Sequence, residues 1–344
     1  MVNLEENPVR FRMSGADQRI LIHHMAFYGL GDILHTQMDG VTLRWDSGKP
    51  CIEAGGLSPE IVEKTIRECL SERRMWVDKT SGPEKRATMS PRLSPFKSAE
   101  AWRAHQNDRE EILDSVTESR AWDDLRYVAA LGEPSYWHRD FKGVVLQDAG
   151  ASRFEMQPRN RGSEFVGNRL RPLSEKLPTR KPGLLAAGLT GESAIDELGG
   201  NPDSVSATGM TTPGAIDNAL VWCALWGIGQ FPIAPRLTGN AVTSGHLAVS
   251  KPRREWFYVP VWEGRWWVPR LRTILASAQL RDAAVAGISD LDTDDVKRSA
   301  ASDWLRARGV RGIIRFPVGR FGSDNAPERR ALNGEPIPIQ AATT

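Results

Sequence analysis

The sequence predicts an α+β fold, in which mixed hairpins and packed helices flank a long basic loop in the middle of the chain. Two patterns support this class. Stretches that alternate apolar and polar residues end at glycine-containing turns, as β-hairpins do. Other stretches carry apolar residues at helical spacing behind a Ser, Thr or Pro, which favours the start of a helix. With 344 residues, the chain is long enough for such elements to bury a substantial core.

Residues 1–146 are predicted to form an N-terminal α+β region. Its first apolar segment, ADQRILIHHMAFYGLGDILHTQMDG, has mixed spacing, which favours a strand followed by a helix. The next segment, VTLRWDSGKPCIE, alternates up to Ser47 and Gly48 and then returns, which indicates a hairpin.

Two helices are expected next. Ser58 and Pro59 suit the cap and the first position of a helix that continues to Arg73. The segment 78–98 is basic and interrupted by Pro and Ser, so we expect an exposed loop there. A polar helix is expected to follow from Ser98.

Residues 147–212 are predicted to be a loop, because Gly, Pro, Arg and Ser are frequent and apolar periodicity is weak. Order is expected to return at Thr212 and Pro213, which suit the start of the helix in TTPGAIDNALVWCALWGIG. Because that helix is apolar nearly all round, we expect it at the centre of the fold. Residues 213–330 then form a C-terminal α+β region, and residues 331–344 are expected to be a disordered tail.

The C-terminal region contains the stretch KPRREWFYVPVWEGRWWVPRLR, residues 251–272. It holds six aromatic and six basic residues against two acidic ones. The alternation on either side of Glu263 and Gly264 predicts a hairpin with mostly buried aromatic side chains and arginines at its rim. A helix around 271–286, a helix that ends at Gly309 and the strand VRGIIRFPVG complete the predicted fold.

Composition argues against several classes of protein. The cysteines Cys51, Cys69 and Cys223 are odd in number and lie among apolar residues, so we expect buried thiols and no disulfide framework. The N-terminus lacks the apolar segment of a signal peptide, and no apolar run reaches the roughly 18 residues of a membrane span. The sequence therefore predicts a cytoplasmic protein with no membrane partner. Motifs for nucleotide phosphates, serine hydrolysis and zinc proteases are missing from it, so we expect no cofactor.

The charges are segregated along the chain, although the net charge is only +2. Residues 100–124 hold eight acids and three bases, whereas residues 151–182 hold eight bases and three acids. Basic segments of this kind attract polyanions, and Arg and Asn are suited to phosphate and base-edge contacts. The candidate nucleic-acid-binding residues are Arg159, Asn160, Arg161, Asn168, Arg169 and Arg171 in the loop, and Lys251, Arg253, Arg254, Arg265, Arg270 and Arg272 around the hairpin.

Two other classes of function stay open on these residues. His23, His24, Asp32 and His35 are residue types that bind metals and would serve a cytosolic metal-dependent hydrolase or nuclease. Their spacing, however, matches no motif that brings metal ligands together. The tryptophan-rich hairpin would alternatively serve a carbohydrate- or peptide-binding module.

Three stretches follow one another along the chain in a recognisable order. They are HHMAFYGLGDIL…GVTLRWDSGKPCI, then WDDLRYVAALGEPS with the later TPGAIDNALVWCALWGIGQFPIAPR, and finally WLRARGVRGIIRFPVGRFG. Together they resemble the small large-subunit family of type I-U CRISPR surveillance complexes (Cascade). The resemblance is one of pattern and order over much of the chain, and no short motif in it is diagnostic.

Members of that family are not enzymes. The resemblance implies a non-catalytic subunit that lies beside the 5′ handle of the guide RNA and probes the short motif flanking the target in double-stranded DNA (the PAM). It also implies contacts with the other backbone subunits of Cascade and a part in recruiting the helicase-nuclease during antiviral defence. No residue aligns with a PAM-reading position, so the candidate residues rest on their chemistry.

Overall fold

The computed structural model describes most of the 344-residue chain. The described residues are 9–93, 96–135, 139, 142–144, 146–156, 165–198, 208–212, 214–291, 294–323 and 326–339. Buried apolar side chains from Phe11 to Ala331 form one continuous cluster, so all three regions of the sequence contribute to the same core. None of the helices in these ranges is long and apolar enough to cross a membrane.

The α+β class is confirmed. Ten α-helices lie in the described ranges: α1 Leu21–Gln37, α2 Pro59–Val77, α3 Ala99–Glu118, α4 Trp122–Leu131, α5 Arg171–Lys176, α6 Leu184–Thr190, α7 Asn218–Trp226, α8 Val268–Leu275, α9 Ala278–Ala284 and α10 Asp295–Arg306. The strands are β1 Val9–Arg12, β2 Thr42–Asp46, β3 Lys49–Ala54, β4 Thr80–Ser81, β5 Arg86–Ala87, β6 Ile233–Ala234, β7 Val242–Thr243, β8 His246–Ser250, β9 Arg253–Trp262, β10 Trp266–Trp267, β11 Val310–Ser323, β12 Ala326–Ala331 and β13 Glu335–Pro338.

Two antiparallel sheets carry the architecture. The first sheet has the strand order β1-β3-β2-β10, and the second has the order β12-β11-β9-β8, with β13 also paired to β11. The pairs β4–β5 and β6–β7 form two short additional ribbons. The predicted hairpin at Ser47 and Gly48 is confirmed as β2–β3, and both turn residues have positive φ, as a type I′ turn requires.

The predicted starts of α2 and α3 are also confirmed. The Ser58 side chain accepts a hydrogen bond from the Ile61 amide, and the Ser98 side chain accepts one from the Ala101 amide. Each serine therefore satisfies a backbone donor that the first helical turn would otherwise leave unpaired.

The N-terminal apolar segment differs from its prediction. It forms the single helix α1 instead of a strand followed by a helix. The helix is buried on nearly all sides from Leu21 to Leu34, so its apolar residues need not recur at one helical face. The mixed spacing in the sequence reflects this central position.

Helices α1 and α7 cross at close range through two glycines. A methyl group added at Gly29 would lie 1.8 Å from the carbonyl oxygen of Cys223, and one at Gly227 would lie 2.1 Å from that of Met25. Both obstacles are backbone atoms of buried segments, which cannot rotate away. The crossing therefore depends on the missing side chains.

We expect Gly29→Ala to lower the free energy of unfolding by about 2–3 kcal/mol, as overpacking against fixed atoms does. The matched control is Gly31→Ala in the same helix, because its added methyl group would meet only the end of the Leu43 side chain. Chemical denaturation of both variants measures the difference. Equal losses would show that the backbone approach at Gly29 is not limiting.

The middle region also differs from its prediction. The sequence indicated an irregular loop over 147–212, yet the described part contains a π-helical turn at Val166–Leu170, followed by α5 and α6. These short helices bury leucines in the common core, and their Pro and Gly residues mask the apolar pattern in the sequence. The buried leucines are Leu170, Leu173, Leu177, Leu185 and Leu189.

The central apolar helix α7 is confirmed, but it begins later than predicted. All nine of its residues are buried, and the cap is Asp217 instead of Thr212. The Asp217 carboxylate accepts from the Ala219 amide and pairs with Arg180 at 2.6 Å. The Asp217 carboxylate, held by Arg180, is a stronger cap than the Thr212 hydroxyl. Pro213 lies outside the described residues.

The predicted hairpin over 251–272 is wrong in its pairing. Strand β9 pairs with β8 on one edge and with β11 on the other, so neither edge is left for β10. The turn at Glu263 and Gly264 instead carries the chain into the first sheet, where Trp266 pairs with Leu43 of β2. The expected burial of the aromatic side chains holds for Trp262 and Trp266, whose rings stack at 4.5 Å.

Two further C-terminal predictions need correction. The helix expected around 271–286 is divided into α8 and α9, because Ser277 caps a new helix by accepting from the Leu280 amide. The expected disordered tail, 331–344, contains β13, which pairs with the long strand β11 from Gly312 to Arg315. Residues 340–344 lie outside the described residues.

Candidate nucleic-acid interface

The first sheet turns a basic side away from the core. Cross-strand partners place Arg10, Glu53, Thr42 and Trp267 in one row across β1, β3, β2 and β10. Side chains alternate along a strand, so the neighbouring residues point the opposite way. Those neighbours are Phe11, Leu43, Ile52 and Trp266, and all four are buried. We call the outward surface formed by Arg10, Arg12, Arg44, Glu53, Arg265 and Trp267 the basic face.

Three arginines of the basic face converge on one carboxylate. Glu53 lies 2.7 Å from Nε of Arg10, 2.5 Å from Nε of Arg265 and 3.4 Å from Nη1 of Arg44. Glu53 itself is buried, whereas Arg10 and Arg265 are half-exposed. A single carboxylate orients these guanidinium groups but cannot neutralise them, so positive charge remains at the surface.

The basic face also offers an aromatic ring. Trp267 is 51% exposed, although it adjoins the fully buried Trp266. At the other end of the sheet, Arg12 lies 3.9 Å from the carboxylate of Asp46. An antiparallel sheet with arginines and an exposed aromatic ring on one side is suited to phosphate contacts and base stacking.

A second concentration of positive charge surrounds Glu255 of β9. Its carboxylate lies 2.8 Å from Arg329, 3.1 Å from Arg320, 3.3 Å from Arg253 and 3.5 Å from Arg153. His246 of β8 lies 3.5 Å away. We call Arg153, His246, Arg253, Glu255, Arg320 and Arg329 the Glu255 cluster.

The cluster perturbs the titration of its own members. Burial, followed by the charge of Arg153, lowers the pKa of Arg329 to about 9. Burial likewise lowers the pKa of His246 to about 4, so this imidazole is neutral at pH 7. Burial acts to raise the pKa of Glu255, but His246, Arg329 and Arg153 outweigh it and hold that pKa well below its usual range. The carboxylate is therefore ionised, and four arginines share it.

Two of the residues predicted from sequence lie in these surfaces. Arg265 belongs to the basic face, and Arg253 belongs to the Glu255 cluster. Lys251 is exposed in the turn between β8 and β9, and Asn168 and Arg169 lie in the π-helical turn. Arg159, Asn160 and Arg161 fall outside the described residues.

The remaining four predicted arginines contact other parts of the chain. Arg171 donates to the Val77 carbonyl at the end of α2, and Arg270 donates to the Arg308 carbonyl. Arg254 pairs with Asp290, and Arg272 lies 3.2 Å from Asp32.

Several residues of the two surfaces escaped the sequence analysis. The strand VRFR carries arginines at alternate positions, and this period of two indicates that Arg10 and Arg12 share one side of a strand. No comparable local signal connects Arg44 with them, or Arg153 with Arg320 and Arg329. Their proximity arises from strand pairing between distant parts of the chain.

The residues of the alternative metal site occupy separate positions on α1. Asp32 pairs with Arg126 at 2.5 Å and Arg272 at 3.2 Å, and it accepts from the indole of Trp226. His24 is buried, its Nε2 lies 2.7 Å from the Gln18 carbonyl, and burial lowers its pKa to about 4. Eight residues of helix separate His24 from Asp32 by about 12 Å. Within the described ranges, no three potential ligands converge on a metal position.

No protein-family model matches the chain, and no curated protein sequence is significantly similar to it. The residues and their geometry therefore carry the functional argument.

Proposed function

We propose that the protein is a non-catalytic nucleic-acid-binding subunit of a ribonucleoprotein complex. The single observation that carries this proposal is the basic face. Four half- or partly exposed arginines and an exposed tryptophan lie there on one sheet, and among the described residues Glu53 and Asp46 are the carboxylates that pair with these arginines.

The chemistry of the basic face favours a nucleic-acid strand over other ligands. Guanidinium groups bind phosphate oxygens through paired N–H donors, and three of them lie close together around Glu53. Trp267 offers its ring to a base at the edge of the same surface. A neutral saccharide or peptide would gain little from this excess of positive charge.

The more specific role follows from the resemblance in sequence. We propose that the complex is a type I CRISPR Cascade, in which the protein binds guide RNA near its 5′ handle and target DNA near the PAM. In this role it contacts the backbone subunits and helps recruit the helicase-nuclease. The basic face would then bind the sugar–phosphate backbone, while base pairing with the guide RNA reads the sequence.

We expect the double variant Arg10→Gln/Arg265→Gln to bind single-stranded RNA and DNA more weakly regardless of sequence. For two lost phosphate contacts, the slope of log affinity against log salt should become shallower by roughly 1.4. Arg44 remains beside Glu53 in this variant, so the buried carboxylate keeps a partner. Fluorescence anisotropy with labelled oligonucleotides at several salt concentrations measures both quantities.

The matched control is Arg74→Gln/Arg103→Gln, which removes the same charge from two helical arginines that pair with Asp78 and Glu100. An equal loss of affinity in both double variants would show that the change in net charge alone explains the effect, and it would contradict the proposal. A sequence-dependent loss would instead show that Arg10 or Arg265 reads bases.

A further inference from the structure

The Glu255 cluster contains an arrangement that sheets ordinarily avoid. Arg320 of β11 and Arg329 of β12 are direct cross-strand partners, and like charges in that position destabilise a sheet. Arg253 of β9 and Arg153 from the segment before residue 157 approach the same carboxylate. Four guanidinium groups thus meet at one ionised side chain.

The charges in this cluster do not balance. Among the described residues, Arg253 and Arg320 pair with no carboxylate other than Glu255. Arg153 and Arg329 are largely buried, and a buried surplus of positive charge is costly unless an anion compensates it.

The cluster is open on one side. The side chains of Arg253 and Arg320 are 58% and 35% exposed, whereas Glu255 is buried beneath them. Arg320 contacts Glu255 through one terminal nitrogen, and Arg253 contacts it through Nε. Both solvent-accessible guanidinium groups therefore keep N–H donors that Glu255 does not occupy.

We propose that the Glu255 cluster binds a phosphate group, with Arg253 and Arg320 as direct ligands and Arg153 and Arg329 as the charge behind them. Glu255 does not touch the ligand, and its charge compensates part of the positive charge of the four arginines. Two forked guanidinium groups match the oxygens of a tetrahedral anion. This site lies on the second sheet, so the proposal does not depend on whether the basic face binds nucleic acid.

The first test uses inorganic phosphate and the full chain. We expect phosphate to raise the melting temperature above that in chloride of matched ionic strength. Arg320→Gln should weaken phosphate binding by about tenfold or more, as measured by isothermal titration calorimetry, because it removes a charge-assisted hydrogen bond. The control Arg311→Gln removes another exposed arginine of β11, which pairs with Glu263, and should keep the affinity unchanged. No stabilisation by phosphate, or equal affinities in the two variants, would overturn the proposal.

The second test uses Glu255→Gln, which leaves the arginines without their shared carboxylate. We expect a lower melting temperature that phosphate restores by a larger shift than in the unaltered protein. A merely structural role for Glu255 gives no such enhancement, and that outcome contradicts the proposal. If this variant does not fold, the phosphate affinities of Arg320→Gln and Arg311→Gln still test the proposal.

Oligonucleotides identify the source of the phosphate group. Competition by a 5′-phosphorylated single strand but not by its 5′-hydroxyl form assigns a terminal phosphate. Competition by both forms assigns an internal phosphodiester, and competition by neither, with phosphate still stabilising, assigns a free anion. The same competition experiments are repeated with the Arg320→Gln variant, in which any competition seen with the unaltered protein should disappear.

Discussion

Replacing Trp266 with alanine is expected to lower the free energy of unfolding by about 3–5 kcal/mol, the loss typical of a buried large aromatic side chain. Trp266 is 1% exposed and stacks on Trp262 at 4.5 Å, with the rings 12° from parallel. The guanidinium group of Arg270 also lies over the Trp266 ring, 4.9 Å from the ring centre. Trp266 lies in β10 at the edge of the first sheet, and Trp262 lies in β9 of the second sheet. The cavity left by the substitution would therefore weaken the contact between the two sheets.

The adjacent tryptophan provides a matched comparison. Trp267→Ala should change the stability by less than about 0.5 kcal/mol, because its side chain is half-exposed. It should instead weaken binding of single-stranded nucleic acid by about 1–3 kcal/mol, the value of stacking one base on an aromatic ring. Denaturation and anisotropy measurements on both variants test the assignment. Unchanged binding by Trp267→Ala would remove this ring from the interface.

Asp32→Ala is expected to lower the free energy of unfolding by about 3–4 kcal/mol, because removing one member of a buried ion pair leaves the partners uncompensated. Asp32 is buried and holds Arg126, Arg272 and the Trp226 indole. Both arginine side chains are a quarter exposed, so water can relieve part of the loss. Because of this exposure, we expect a loss in the lower part of the roughly 3–5 kcal/mol that breaking a buried ion pair typically costs. Asp39→Ala, at an exposed position just after α1, is the control and should have little effect.

A milder change at the same residue, Asp32→Asn, distinguishes the proposed function from the metal-dependent hydrolase or nuclease. The proposed function predicts that labelled DNA and RNA stay intact in Mg²⁺ or Mn²⁺, with or without the Asp32 change. Cleavage by the unaltered protein that is lost in a folded Asp32→Asn variant would establish a catalytic role for this carboxylate and overturn the proposal.

The parts of the fold that were predicted correctly depend on neighbouring residues. Ser47 and Gly48 define the β2–β3 turn through their own backbone preferences, and Ser58 and Ser98 cap helices three residues away. The apolar composition of α7 likewise predicts its burial without any knowledge of its neighbours. Each of these signals acts within one turn or one helix, so the sequence alone contains it.

The same locality explains what was mistaken at β9 and β10. Glu263 and Gly264 do form a turn, but a turn does not specify which strand edges are free. The edges of β9 pair with β8 and β11, and β10 pairs with β2, more than two hundred residues away along the chain. Strand pairing depends on the packing of the whole core, so a short window of sequence does not indicate which strands pair.

The candidate sites illustrate the same division between local and long-range information. The sequence by itself determined the α+β class, the β2–β3 turn, the caps at Ser58 and Ser98, and the presence of basic segments, including Arg253 and Arg265. Only the tertiary structure decided that Arg265 meets Arg10 at Glu53, and that Arg253 meets Arg329 at Glu255. It also turned Arg272 inward to Asp32, away from the surface predicted for it. Charge is a property of each residue, whereas the field that binds a phosphate is a sum over residues that strand pairing brings together.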